Sequence, residues 1–146
     1  MSENAIVPAI RISATGLDAE SRRMEVIADN VANAQTTRGP DGRVFRRKEA
    51  VFAAQLDREM QGAGGRDQLG GVSVRGIVED SRPPTRVYRP GHPDADVDGF
   101  LTLPNVNVVE EMVDMMDAAR AYEANLSAMK TARGMANQAL EMMRRQ

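Results

Sequence analysis

The sequence predicts a mainly α protein with a small β-rich insertion, in which long N- and C-terminal helices pair as a coiled-coil-like hairpin. Three observations predict it. Residues 106–146 carry an apolar seam in steps of three and four. Residues 6–35 carry apolar residues spaced seven apart. Residues 43–104 replace both patterns with short β-prone pieces broken by Gly and Pro. The organisation that follows is an N-terminal core helix within 1–38, a β-rich insertion over 39–104 and a C-terminal core helix within 105–146.

The first helix is built on Ile10, Leu17, Met24 and Val31. Small Ala14, Ser21 and Ala28 flank this line, and Ile27 and Ala34 widen it. Gly16 weakens it by about 1 kcal/mol relative to Ala. Pro8 is tolerated only in a first turn, so the helix starts near it. Asn30, Asn33 and the run Thr36-Thr37-Arg38-Gly39-Pro40 end it, and Pro40-Asp41-Gly42 signals a turn.

In the insertion, Val44-Phe45 and Val51-Phe52 are β-prone pieces around the basic run Arg46-Arg47-Lys48. Residues 53–60 suit one or two helical turns, and Gln61–Arg66 is a flexible Gly-rich loop. Val72, Val74 and Val78 alternate with Ser73, Arg75 and Glu79, as in a half-exposed strand. Pro83-Pro84 breaks it, and Val87-Tyr88 and Phe100–Leu103 are two more short strands.

The last helix places Val108, Met112, Met115, Ala119, Tyr122, Leu126, Met129, Ala136, Leu140 and Met143 on one seam, which only Arg133 interrupts. About 40 helical residues span roughly 60 Å. That exceeds the ~26 Å diameter implied by a radius of gyration near 13 Å for about 100 residues. A helix longer than its own domain marks a chain that completes its core with neighbours.

Composition narrows the function. A chain of 146 residues has a one-domain length. Three Phe, two Tyr and no Trp give few large anchors, so ten Met fill much of the apolar surface and suit adaptable interfaces. A net charge of −2 argues against nucleic-acid binding. The absence of Cys excludes disulfides and thiolate metal sites. No apolar run is long enough to span a membrane, and the start lacks the pattern of a cleaved secretory signal. Asp94 to Asp117 holds seven acidic residues and no Lys or Arg, whereas 118–146 holds five basic and two acidic ones. This suits the dipole of the last helix. It also suits head-to-tail contact between copies.

The candidate chemistry is weak. Asp94-Ala95-Asp96-Val97-Asp98-Gly99 opens like a calcium loop, but Asn105 stands where the bidentate Glu belongs and Pro90-Gly91-His92-Pro93 cannot form the incoming helix. Ser127-Ala128-Met129-Lys130 spells S-x-x-K without its companion motifs. His92 is the only histidine and is flanked by Gly91 and Pro93, as in a turn. No catalytic residue, cofactor site or metal site is assigned.

The stretch Ile12 to Thr37, with Asn30-Val31-Ala32-Asn33-Ala34, resembles the N-terminal signature of the bacterial flagellar rod and hook family. RGPDGRVFRRKEAVF, VYRPGHPDADVDGFL, the LPNVNVVEEM block and its continuation, and more weakly GVSVRGIVEDSRPP, resemble its proximal-rod branch. The resemblance implies a non-enzymatic structural subunit of the basal-body rod, the drive shaft that carries motor torque to the hook. It implies export without a cleaved signal peptide, through the flagellar type III apparatus, and helical assembly in the periplasm. The implied partners are other copies, other proximal rod proteins, the distal rod protein, a rod-base adaptor and the inner membrane ring. The assembly interface then comprises Ile10, Leu17, Met24, Asn30, Val31 and Asn33 on the first helix. On the last it comprises Met112, Met115, Ala119, Tyr122, Leu126, Met129, Leu140 and Met143. The competing readings are a helical-hairpin adaptor or secretion chaperone and a weak Ca²⁺-binding module. The basic trio Arg46-Arg47-Lys48 is expected to meet the Asp94–Asp98 turn of an adjacent subunit.

Overall fold

The computed structural model describes residues 6–39, 41–56 and 69–144 of the chain. The element order is α1 (Ile6–Ala32), β1 (Lys48–Leu56), β2 (Leu69–Glu79), β3 (Thr85–Tyr88), β4 (Phe100–Leu103) and α2 (Val108–Arg144). Two helices thus flank two small antiparallel sheets, β1-β2 and β3-β4. The loop expected at Gln61–Arg66 lies outside the described residues.

Both long helices have side-chain caps at the ends nearest the insertion. At the end of α1, the Asn33 side-chain amide donates to the Asp29 carbonyl and to the Asp29 carboxylate, each at 2.9 Å. The same Asp29 carbonyl also accepts the Asn33 backbone N–H at 3.1 Å, so Asn33 closes the last turn twice. At the start of α2, Asn107 acts as the N-cap: its Oδ1 accepts the Val109 N–H at 3.1 Å while its carbonyl accepts Glu111 N–H at 3.0 Å. Its 37 residues make α2 about 55 Å long.

The helices run antiparallel. Asn30, near the end of α1, bonds Glu111 in the first turn of α2, and Gly16 lies against Asn125 halfway along α2. A Cβ at Gly16 would stand 2.8 Å from the Asn125 amide nitrogen, so the glycine that costs helix propensity permits this close approach.

Strand β2 lies along α1. The Thr15 hydroxyl accepts the Val72 N–H at 3.2 Å, and Gly71, at φ +128°, sits so close that a Cβ would overlap that hydroxyl. Strand β1 pairs with β2 from Lys48↔Glu79 to Leu56↔Leu69, with bulges between Val51 and Phe52 and between Gln55 and Leu56. Two expectations are corrected here. Residues 53–56 continue β1 rather than turning into helix, because their partners 69–73 extend the ladder. Val44-Phe45 is not a strand; pairing begins only at Lys48.

Strands β3 and β4 pair from Thr85↔Leu103 to Tyr88↔Phe100, and that last pair meets edge to face with ring centres 5.4 Å apart. The buried apolar core among the described residues is small: Ala19, Val26, Ile27, Leu101, Ala118 and Ala132.

Candidate functional site

Both helix ends converge on a buried polar clasp. Asn30 and Glu111 are each 0% exposed. The Asn30 amide donates to Glu111 Oε2 at 2.9 Å and to the Lys48 carbonyl at 2.8 Å, and its Oδ1 accepts the Lys48 N–H at 2.8 Å. Asn30 therefore bonds the first residue of β1 as a strand neighbour would. The other Glu111 oxygen accepts from Arg47 Nε, and the Arg47 guanidinium continues to Asp114 at 3.5 Å. Arg47 N–H donates to Asn105 Oδ1 at 3.2 Å, and Lys48 Nζ pairs with Asp29 at 2.8 Å. A carboxylate buried this completely is tolerable because a cation and an amide satisfy both oxygens. The clasp joins α1, β1, the Asn105 loop and α2 at one point.

The seam on α2 needs a correction. Its buried positions are Glu111, Ala118 and Ala132, with half-buried Asn125 completing a line of sevens beside the predicted one. Met115, Tyr122 and Met129 are half-buried on the flank both lines share, as are Ala119 and Leu126. Met112, Leu140 and Met143 are exposed at 58, 51 and 56%. The physical reason is the close approach: small Ala118 and Ala132 lie at the inner edge, and long Met and Leu side chains turn outward. Arg133 interrupts nothing, since Ala132 occupies the buried position. On α1, Ile10, Leu17, Met24 and Val31 are half-buried, while Gly16, Ala19, Val26, Ile27 and Asn30 are buried.

What α2 leaves open is an apolar stripe at its start. Val109, Met112, Val113 and Met116 are all exposed and follow the i, i+3, i+4, i+7 spacing of one helix face. Met135, Leu140, Met142 and Met143 form a second exposed group near its end. No described helix is long and apolar enough to cross a membrane.

The aspartate turn is held by its own chain. Asp96 Oδ1 accepts the N–H groups of Phe100 at 2.8 Å and Asp98 at 3.1 Å, and Oδ2 pairs with Arg86. The Phe100 N–H, with Arg86 assisting, holds the Asp96 carboxyl below the usual carboxylate range. Asp94 accepts from the Thr37 hydroxyl at 2.7 Å, and His92 Nδ1 accepts the Asp94 N–H at 3.1 Å. Among the described residues no group of three or more His, Asp or Glu is arranged to hold a metal ion. Asn105, the weak twelfth position of a calcium loop, serves the clasp instead. The expected basic trio also divides: Arg47 and Lys48 are engaged within the chain, and Arg46 alone has no ion pair among the described residues.

Two family models match the chain. One, described as flagella basal body rod protein, covers residues 10–40, and the other, described as flagellar basal body rod FlgEFG protein C-terminal, covers 97–142. These spans hold the two halves of the Asn30–Glu111 contact. Among similar proteins, the flagellar basal-body rod protein FlgC of Salmonella typhimurium is 40% identical over 90% of this chain and 92% of its own length. That of Borreliella burgdorferi is 40% identical over 92% of this chain and 95% of its own. That of Bacillus subtilis is 37% identical over the same shares. At these identities and over these shares of both lengths, the chain belongs to the FlgC family of flagellar basal-body rod proteins.

Proposed function

We propose that the chain assembles helically with other rod components as a subunit of the proximal rod, and that this rod is the drive shaft carrying motor torque to the hook. Membership of the family makes the chain a structural rod subunit of the flagellar basal body. The observation that carries the proposal is the exposed apolar face of α2, Val109, Met112, Val113 and Met116. Among the described residues nothing covers it, and exposed patches of this kind mark interaction sites.

In this reading the α1–α2 pair is a coiled-coil-like hairpin within the tube wall, and the insertion over 39–104 projects from it. The helical segments within 1–38 and 105–146 form the assembly core. Ile10, Leu17, Met24 and Val31, with Met115, Ala119, Tyr122, Leu126 and Met129, retain enough exposure to touch neighbours as well as each other. Met112, Leu140 and Met143 serve neighbours alone. Asn30 and Asn33 act indirectly, by setting the end of α1. The neighbours are other copies, other proximal rod proteins, the distal rod protein, the rod-base adaptor and the inner membrane ring. The chain reaches the periplasm through the export apparatus without a cleaved signal peptide, and it performs no catalysis.

The test is the double variant Met112→Asp, Val113→Asp in a strain lacking the wild-type chain. Export and folding persist in the expected outcome, while rod assembly and motility are lost. Normal motility would contradict the proposal.

A further inference from the structure

One cleft stands apart from the helix faces. It lies between the segment after α1 and the Asn105 loop, with a volume of about 790 Å³. Arg38, Arg43 and Arg46 line it, and none of their side chains has an ion-pair partner among the described residues. Val44, Phe45 and Pro84 add apolar surface. Asn105 also lines it; its Oδ1 is taken by the Arg47 N–H, which leaves its Nδ2 buried without an acceptor. Unpaired guanidinium groups favour a carboxylate. Asp41 and Glu79 on the same lining weigh against a uniform polyanion such as an anionic membrane, and favour a protein segment of mixed character.

The chain itself carries a matching projection. Val97 is 104% exposed, as far from any neighbour as an apolar side chain can be. Beside it, Asp98 is the one carboxylate of the aspartate turn with no partner among the described residues, since Asp94 and Asp96 are held by Thr37 and Arg86. The tip is also rigid: Asp96 ties the backbone at Asp98 and Phe100, and Gly99 turns at φ +78°. A preorganised tip loses little freedom on docking.

We propose that the Val97–Asp98 tip of one copy seats in the Arg38–Arg43–Arg46 cleft of a second copy. Asp98 meets the free guanidinium groups, and Val97 packs on the apolar lining. This contact deepens the rod reading and rests on it, because it operates between assembled copies.

Native chains have no Cys, which gives a clean test. Asp41→Cys, on the cleft lining, and Ala95→Cys, beside the tip, are placed in separate chains, co-expressed, and treated with a short bismaleimide in purified basal bodies, so that Asp98 and the three arginines stay in place. A linker is used because the two positions flank the contact and a disulfide reaches only ~7 Å between Cα atoms. The expected result is a linked dimer at about tenfold the yield of an Arg75→Cys, Ala95→Cys control pair, the excess a specific contact gives over random collision. Equal yields overturn the proposal. In a second arm, Asp98→Lys lowers incorporation, and adding Arg43→Glu and Arg46→Glu to the same chain restores it; absence of restoration also overturns it. Cysteine chains present in basal bodies without a tip–cleft link would refute this contact and leave the rod reading standing. Wild-type chain missing from basal bodies would refute the rod reading, and this contact with it.

Discussion

Asn30 and Glu111 are 81 residues apart in sequence, fully buried, and joined by a 2.9 Å hydrogen bond. Through them the end of one long helix fixes the start of the other, and Arg47 and Lys48 fasten the β insertion to the same point. A rigid junction of this kind suits a subunit that must carry load between neighbours.

Breaking the clasp should destabilise the chain out of proportion to its size. Asn30→Ala strands the Lys48 N–H and one Glu111 oxygen, and should cost about 2–3 kcal/mol. Glu111→Ala leaves the Arg47 guanidinium without its main partner and should cost about 3–5 kcal/mol. Urea midpoints of the purified variants check both. Losses below 1 kcal/mol would show that the clasp is incidental.

Inner and outer faces of α2 should respond in opposite ways. Ala118→Leu wedges the helices apart and should lower stability by about 1–3 kcal/mol. Met112→Asp, on the exposed stripe, should change monomer stability by no more than about 0.5 kcal/mol. Thermal unfolding of the two variants separates the buried line from the one first expected.

Gly71→Ala should loosen the β1-β2 ribbon from α1. The position has φ +128°, and the new methyl would overlap the Thr15 hydroxyl. The penalty should exceed about 1 kcal/mol, with faster amide exchange at Val72. Unchanged exchange there would contradict the packing described.

Acid should open the aspartate turn. The Asp96 pKa is depressed by folding, so its contribution is present above the unfolded value near about pH 4 and is lost as pH falls through the lower folded value. NMR of the Phe100 and Asp98 amides should report this below about pH 4, and Asp96→Asn should abolish the step. Calorimetry should find no submillimolar Ca²⁺ binding, since protein donors occupy both Asp96 oxygens.

Helix periodicity made α1 and α2 legible, along with β3, β4 and most of β2, because apolar spacing and Pro or Gly breaks bear directly on them. The exact seam on α2 was not legible. Apolar scoring favours Met112 and Leu140 over Ala118 and Ala132, yet close helix approach selects the smaller side chains. The clasp was hidden for a different reason: Asn30, Arg47, Asn105 and Glu111 are polar, distant in sequence and meaningful only together. In the sequence Asn30 is legible only as part of the Asn30–Ala34 motif, and Arg47 only as part of a charge run that the fold divides. The weak signal available was Asn105-Val106-Asn107 directly before a helix, which marks a cap and, here, a clasp.

The most direct test of the account is a density map of the assembled basal body at side-chain resolution. It should place this chain in the rod, with Val109, Met112, Val113 and Met116 covered by a neighbouring subunit and the Asn30–Glu111 contact intact. A rod that lacks the chain, or one in which that face of α2 meets only solvent, would contradict it.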